Sequence, residues 1–175
     1  YGADTVRLFI LFAANPTAGM DWSDTALEAN YRVMLQLRTM PETILNWGND
    51  NSEIDNWLIA RLKQRVAEFN QAMDTYDLRR AVEISHYELI KDINWYTRRG
   101  GNNSTIGRTI LESWTYLISV STPHLAEEWG RCLGWQQMVS ASQMKNVELV
   151  TPAEENLLDY EFTMRNVLEM PAKSK

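Results

Sequence analysis

The feature that most constrains this chain is a helical period running from Leu78 to Arg99 and cut off by Gly100-Gly101. Leu78, Val82, Ser85, Leu89, Ile93 and Tyr96 recur at steps of four or three residues. At about 100° per residue they share one side of a single α-helix. Arg80, Tyr87, Lys91, Asn94 and Arg98 fall on the opposite side, making a basic row with an aromatic in it. The glycine pair supplies the stop, because glycine accepts the left-handed conformation that ends helices. Such a helix is about 33 Å long, enough to be the spine of a small domain.

The same period recurs elsewhere, and no alternating strand pattern appears. Residues 3–14 read as a first helix, apolar nearly all round from Leu8 to Ala13, followed by a loop at Asn15-Pro16-Thr17-Ala18-Gly19. Ser23 or Asp24 caps a second helix carrying Leu27, Tyr31, Met34 and Leu35, which Pro41 should break or kink. Ser52 caps a third, with Glu53 and Asp55 in its first turn and Leu58, Leu62, Val66, Phe69 and Met73 as its stripe. A short link at Asp74-Thr75 makes the third helix and the Leu78 helix an antiparallel hairpin. Ser104 or Thr105 caps the next helix, and Thr122-Pro123 opens another that stops near Gly134. Residues 135–150 show no clear period. Thr151-Pro152-Ala153-Glu154 reads as a capping box opening a last helix to about Met170. The expected fold is an all-α antiparallel helix bundle.

Composition narrows the function. The 175 residues are 45% hydrophobic and carry a net charge of −6. One compact domain fits that length, and any nucleic-acid contact must be a local basic patch on an acidic body. A single cysteine, Cys132, excludes an internal disulfide and suits a reducing, cytoplasmic setting. With only His86, His124 and Cys132 as soft ligands, no zinc site is expected. No run approaches the ~20 apolar residues of a membrane span. The chain opens at Tyr1, directly in a helical pattern, and reads as a segment of a longer polypeptide.

Catalytic chemistry is hard to assemble from these residues. No nucleophile–histidine–acid arrangement is apparent, and no glycine-rich phosphate loop precedes a helix. His124 reads as a first-turn polar residue after Pro123. Asp4 and Arg7, three apart, suit a surface ion pair. Asp92 projects to the edge of the apolar stripe and needs a partner, since an unpaired carboxylate there costs several kcal/mol, roughly. That leaves the basic row. Spacing alone favours a solvated helix face over a phosphate-binding row that gains from counterion release. Trp57 projects away from its helix's stripe, beside Arg61, and forms a second exposed-looking aromatic and cation pair.

Several ordered motifs carry a resemblance. Tyr1-Gly2-Ala3-Asp4-Thr5-Val6-Arg7-Leu8 resembles the segment shortly after the Lys-Met-Ser-Lys-Ser loop of class I aminoacyl-tRNA synthetases. Met20-Asp21-Trp22-Ser23-Asp24 resembles the Trp-Ser-Asp of the leucyl enzymes. Asp55-Asn56-Trp57-Leu58 is similar to the opening of their anticodon-binding bundle. Asp92-Ile93-Asn94-Trp95-Tyr96-Thr97-Arg98-Arg99 and Thr122-Pro123-His124-Leu125-Ala126-Glu127-Glu128 complete the series. The Trp-Tyr-x-Arg-Arg ending resembles the archaeal and eukaryotic leucyl type, over residues 1 to about 134.

The resemblance implies a tRNA-docking helical bundle, with leucine tRNA and the rest of a synthetase as partners. It implies a parent enzyme that joins leucine to its tRNA using ATP and Mg²⁺, with no cofactor held by this segment. Neither class I signature lies in the chain, so the segment should not activate leucine. Because leucine tRNAs carry several anticodons, the bundle should read backbone and shape. The expected division is 1–24 as a link from a catalytic domain, 25–134 as the bundle, and 135–175 as a connector and the start of a C-terminal region. The expected tRNA contacts are Arg80, Lys91 and Arg98, with Tyr87 and Arg99 adjacent and Trp57 and Arg61 beside them. Two alternatives stay open: the same bundle from an isoleucyl, valyl or methionyl enzyme, or a helical protein-interaction module that binds no RNA.

Overall fold

A computed structural model describes residues 1–13 and 21–143 of the chain. Seven α-helical segments account for most of it: α1 (Ala3–Ala13), α2 (Asp24–Leu45), α3 (Glu53–Asp74), α4 (Leu78–Glu83), α5 (Leu89–Arg98), α6 (Ser104–Ser119) and α7 (Pro123–Cys132). The all-α bundle is as expected. The loop expected at 15–19 and the last helix expected after Thr151 lie outside the described residues.

The helices start where local chemistry puts them. Ser23 accepts the Ala26 N–H and opens α2. Ser52 and Asp55 form the reciprocal capping box of α3. Gly100, at φ +84°, follows the Arg99 cap of α5. Two expectations needed correction. The cap of α6 is Asn103, whose side-chain oxygen accepts from Thr105 and Ile106 N–H at 3.1 and 3.3 Å, and not Ser104 or Thr105. Pro41 does not break α2, which continues to Leu45. Leu37, Met40, Pro41 and Ile44 are all buried there, so packing outweighs the ~3 kcal/mol a mid-helix proline costs.

α3 runs antiparallel to the α4–α5 rod. Its start meets the rod's end, with the Tyr96 hydroxyl donating to Asp55 at 2.5 Å. Its later turns meet the rod's beginning, with Arg80 on Glu68 at 2.9 Å. α2 and α6 complete the barrel-like core, in which Leu37, Ile44, Leu62, Ile110, Trp114 and Ile118 are fully or almost fully buried. Gly107 lets α6 approach α2 closely. A Cβ there would sit 2.5 Å from the Ile44 side chain. A two-residue ribbon, Asn49-Asp50 against Asn102-Asn103, ties the links at one end.

At the other end, α1 lies on α2, α4 and α7. Asp4 is buried, and its carboxylate accepts the Leu125 N–H at 2.9 Å, as well as contacting His124 at 2.8 Å and Arg7 at 3.1 Å. Leu125 is the third residue of α7, whose N–H an N-cap side chain usually takes. Thr122 occupies the cap position but makes no side-chain cap bond; its hydroxyl turns to Ile118 and His86 instead. α1 therefore caps α7 across the bundle.

The rod between α4 and α5 is not a plain α-helix. Ile84–Glu88 forms a π turn, in which the Leu89 N–H reaches back five residues to the Ile84 carbonyl. A regular ladder would have given that N–H to Ser85. The Ser85 carbonyl instead accepts the indole N–H of Trp114 at 2.6 Å. The turn also buries His86 completely, between the hydroxyls of Ser85 at 2.8 Å and Thr122 at 3.0 Å. Burial pushes the His86 imidazole down to about 3, so it is neutral. The unfolded chain then takes up a proton near pH 6.5 that the folded chain refuses until pH 3. Stability from this site is complete above pH 6.5 and is lost as pH falls. Between pH 6.5 and 5 the loss is about 2 kcal/mol, at 1.36 kcal/mol per unit. Denaturant titrations should show it in the wild type and show it flattened in His86→Gln; equal slopes would contradict this.

Candidate nucleic-acid interface

The π turn decides which cations face outward. One extra residue in the helical ladder rotates everything after it by about 100° relative to a straight helix. Arg80 and Tyr87, before or within the turn, therefore do not share a face with Lys91 and Arg98 beyond it, and the single row expected from spacing is split in two.

Arg80 lies in an ion-pair network. Its guanidinium reaches Glu88 at 2.7 Å, Glu68 at 2.9 Å and Glu83 at 3.0 Å. The hydrogen bond to Glu88 leads the effects that raise its pKa further. Arg65, on α3, is the hub of the same network, bonding Glu88 at 2.5 Å and Asp92 at 2.8 Å with a side chain only 12% exposed. Burial works to raise Glu88, but Arg80 and Arg65 outweigh it and hold it below the usual carboxylate range. Asp92 has the partners its position required: Arg65, and Arg61 at 3.5 Å. Tyr87 also turns inward. Its hydroxyl donates to Asn30 at 2.6 Å, its ring stacks on Phe12, and burial pushes it up to about 12.

α5 presents a different surface. Lys91 and Arg98, two turns apart, are exposed and form no ion pair among the described residues. Asn94 and Trp95 lie half-buried between them. Trp57 is a correction: it is 3% exposed, not a surface aromatic. It stacks on Trp95 with centroids 4.0 Å apart. Arg99 lies over the Trp95 ring at 3.6 Å and donates to the Trp95 carbonyl at 3.4 Å. Arg61 lies over Trp57 at 5.8 Å. Trp57 and Arg61, paired in the sequence reading, and Arg99, chosen apart from them, thus lie along one set of ring contacts, and sequence reasoning missed its other member, Trp95. It also missed Arg65, whose only advance signal was an arginine among the acids of α3 and an Asp92 in need of charge.

Among the described residues, no group of three or more His, Cys, Asp or Glu could hold a metal ion, and no helix is long and apolar enough to cross a membrane.

Comparison with known proteins shows the family. Residues 55–171 match the family described as the anticodon-binding domain of tRNA ligase, and the chain belongs to that family. Its relatives include leucine–tRNA ligases. That of Methanosarcina acetivorans is 30% identical over 163 residues, covering 89% of this chain and 17% of the relative. Those of Archaeoglobus fulgidus and Methanocaldococcus jannaschii are 36% and 33% identical, covering 73% and 85% of this chain and 14% and 16% of theirs. The chain thus spans a small part of the length of these relatives. The fold matches the crystal structure of the Agrobacterium radiobacter K84 agnB2 LeuRS–tRNA–LeuAMS ternary complex, with TM-score 0.68 and 16% identity over 98% of this chain and 26% of that one.

The network around Arg65 makes a stability prediction. Removing one partner of a buried ion pair leaves an uncompensated charge and costs about 3–5 kcal/mol. Arg65→Met should lose about that much in chemical denaturation, and adding Asp92→Asn should recover part of it. A single variant within 0.5 kcal/mol of wild type, roughly the noise of a surface change, would contradict the assignment.

Proposed function

We propose that the chain is the tRNA-docking bundle of a leucine–tRNA ligase, and that the α5 surface with Lys91 and Arg98 holds the phosphate backbone of leucine tRNA. The parent protein joins leucine to that tRNA with ATP and Mg²⁺ in the cytoplasm, its catalytic and editing sites lying outside this chain. Residues 1–24 link to the catalytic part, 25–134 are the docking bundle, and 135–175 are a connector and the start of the C-terminal region. The observation that carries the RNA reading is the pair of exposed cations two turns apart on α5 that form no ion pair among the described residues, in a protein whose net charge of −6 makes such a surface local. The family membership and the consistent naming of its relatives as leucine–tRNA ligases support the choice of amino acid.

Arg80 has a structural part in this reading. Its charge is already matched by three glutamates, so a phosphate would have to displace them. Lys91 and Arg98 need no such exchange. Binding of leucine tRNA by the full-length protein across salt concentrations tests the difference. Lys91→Ala with Arg98→Ala should weaken binding and reduce the slope of log K against log salt by about 2, one per phosphate contact. Arg80→Met should lower stability and leave the slope unchanged. A double variant with wild-type affinity and slope would overturn the assignment.

A further inference from the structure

The π turn that takes Arg80 out of the basic row puts another arginine into it. On a straight helix Arg79 would lie about 100° or more away from Lys91 and Arg98. The residue inserted at Ile84–Glu88 removes that offset. With it discounted, Arg79 stands about three turns before Lys91 and about five before Arg98, within about 20° of both. All three residues are exposed, and none forms an ion pair among the described residues. Glu83, four residues on, is the acid that helical spacing would pair with Arg79, but Arg80 takes it at 3.0 Å. What Arg79 has instead is a ring. Its guanidinium lies 5.5 Å from the Phe12 centroid, and Phe12 stacks on Tyr87 at 4.7 Å. The hollow beside it, between α1 and α2, is lined by Phe9, Ala26, Asn30 and Val33, with no carboxylate among the described residues. Nor does helix stability explain a cation here, because the first turn of a helix favours acids. Arg79 is thus braced by α1 while its charge stays unmatched among the described residues.

We infer that Arg79 is the first of three cations that hold the phosphate backbone of the bound RNA along the outer side of the α4–α5 rod. The row is about 27 Å long, with about 17 Å from Arg79 to Lys91 and about 10 Å from there to Arg98. A straight row of cations of that length suits a double-stranded arm, which proteins recognise by shape through phosphates on successive grooves. It does not suit a single turned-out base. Arginine can serve an anion and a ring at once. The Phe12 contact uses the face of the guanidinium, whereas its N–H groups point outward from its edges, where a phosphate oxygen accepts them. A side chain braced in this way loses less rotamer freedom on binding than a free one. The inference rests on the RNA-docking reading above and extends its surface from α5 to α4.

Salt dependence of binding to a leucine tRNA transcript tests this in the full-length protein. Arg79→Ala should reduce the slope of log K against log salt by about 1, so that between about 50 and 200 mM salt it loses about three- to fourfold less affinity than wild type. Arg79→Lys keeps the charge and should keep the slope. Combined with Lys91→Ala and Arg98→Ala, Arg79→Ala should bring the total reduction to about 3. Melting temperatures measured alongside exclude unfolding as the cause, and Arg79→Gln takes the place of the alanine variant if that form is unstable. If Arg79 only holds α1 in place, its loss lowers the melting temperature and leaves the slope alone, which would overturn the inference. An Arg79→Lys slope as shallow as that of Arg79→Ala would also overturn it. A wild-type slope in Arg79→Ala, beside a reduction of about 2 in the Lys91 and Arg98 variant, removes Arg79 from the row and leaves the α5 reading standing. Wild-type slopes in both remove that reading and the inference with it.

Discussion

The backbone step from the Leu89 N–H to the Ile84 carbonyl sets the orientation of everything around it. It adds one residue to the ladder of the central rod. The Ser85 carbonyl it bypasses is taken by Trp114 from α6 at 2.6 Å, and His86 is carried into the core against Thr122 at the start of α7. A π turn is a strained choice for a free helix. Here the partners on two neighbouring helices satisfy the groups it displaces, so the turn and the bundle around it support each other.

From that turn follows a division of labour among the cations. Arg80, before it, and Arg65, on α3, are inside the ion-pair network, against Glu68, Glu88 and Asp92. Those after it, Lys91 and Arg98, look outward. The same rotation sets Trp95 against Trp57, so the aromatic pair locks α5 to the start of α3 while supporting Arg99. The surface proposed to meet RNA is thereby built on a helix held from behind by both charge and stacking, which is what positions a binding site well.

Much of this was legible in the sequence, for identifiable reasons. The Ser52 cap, the Thr122-Pro123 restart and the Gly100 stop depend on residues near one another in sequence, and they appear where expected. Asp92 could be recognised as a carboxylate in need of a partner, because helical projection places it at the edge of the stripe. The identity of that partner could not, because Arg65 lies 27 residues away. Asp4 is similar: its pairing with Arg7 is local and was visible, whereas its capping of α7 spans 121 residues. Trp57 was misplaced because projection assumes one buried stripe per helix, and α3 is buried on a second side by α5. The π turn has no residue signature, so a uniform 100° rotation carried the Arg80–Arg98 row across it as though the helix were straight.

The central claim is that α5 faces RNA while Arg80 faces protein. Photo-cross-linking measures this directly. A benzophenone side chain placed singly at position 80, 91 or 98 of the full-length protein, bound to leucine tRNA and irradiated, should give RNA adducts from 91 and 98 and none above background from 80. Adducts from 80 comparable to those from 98, or none from 91 and 98 with the tRNA bound, would contradict the account.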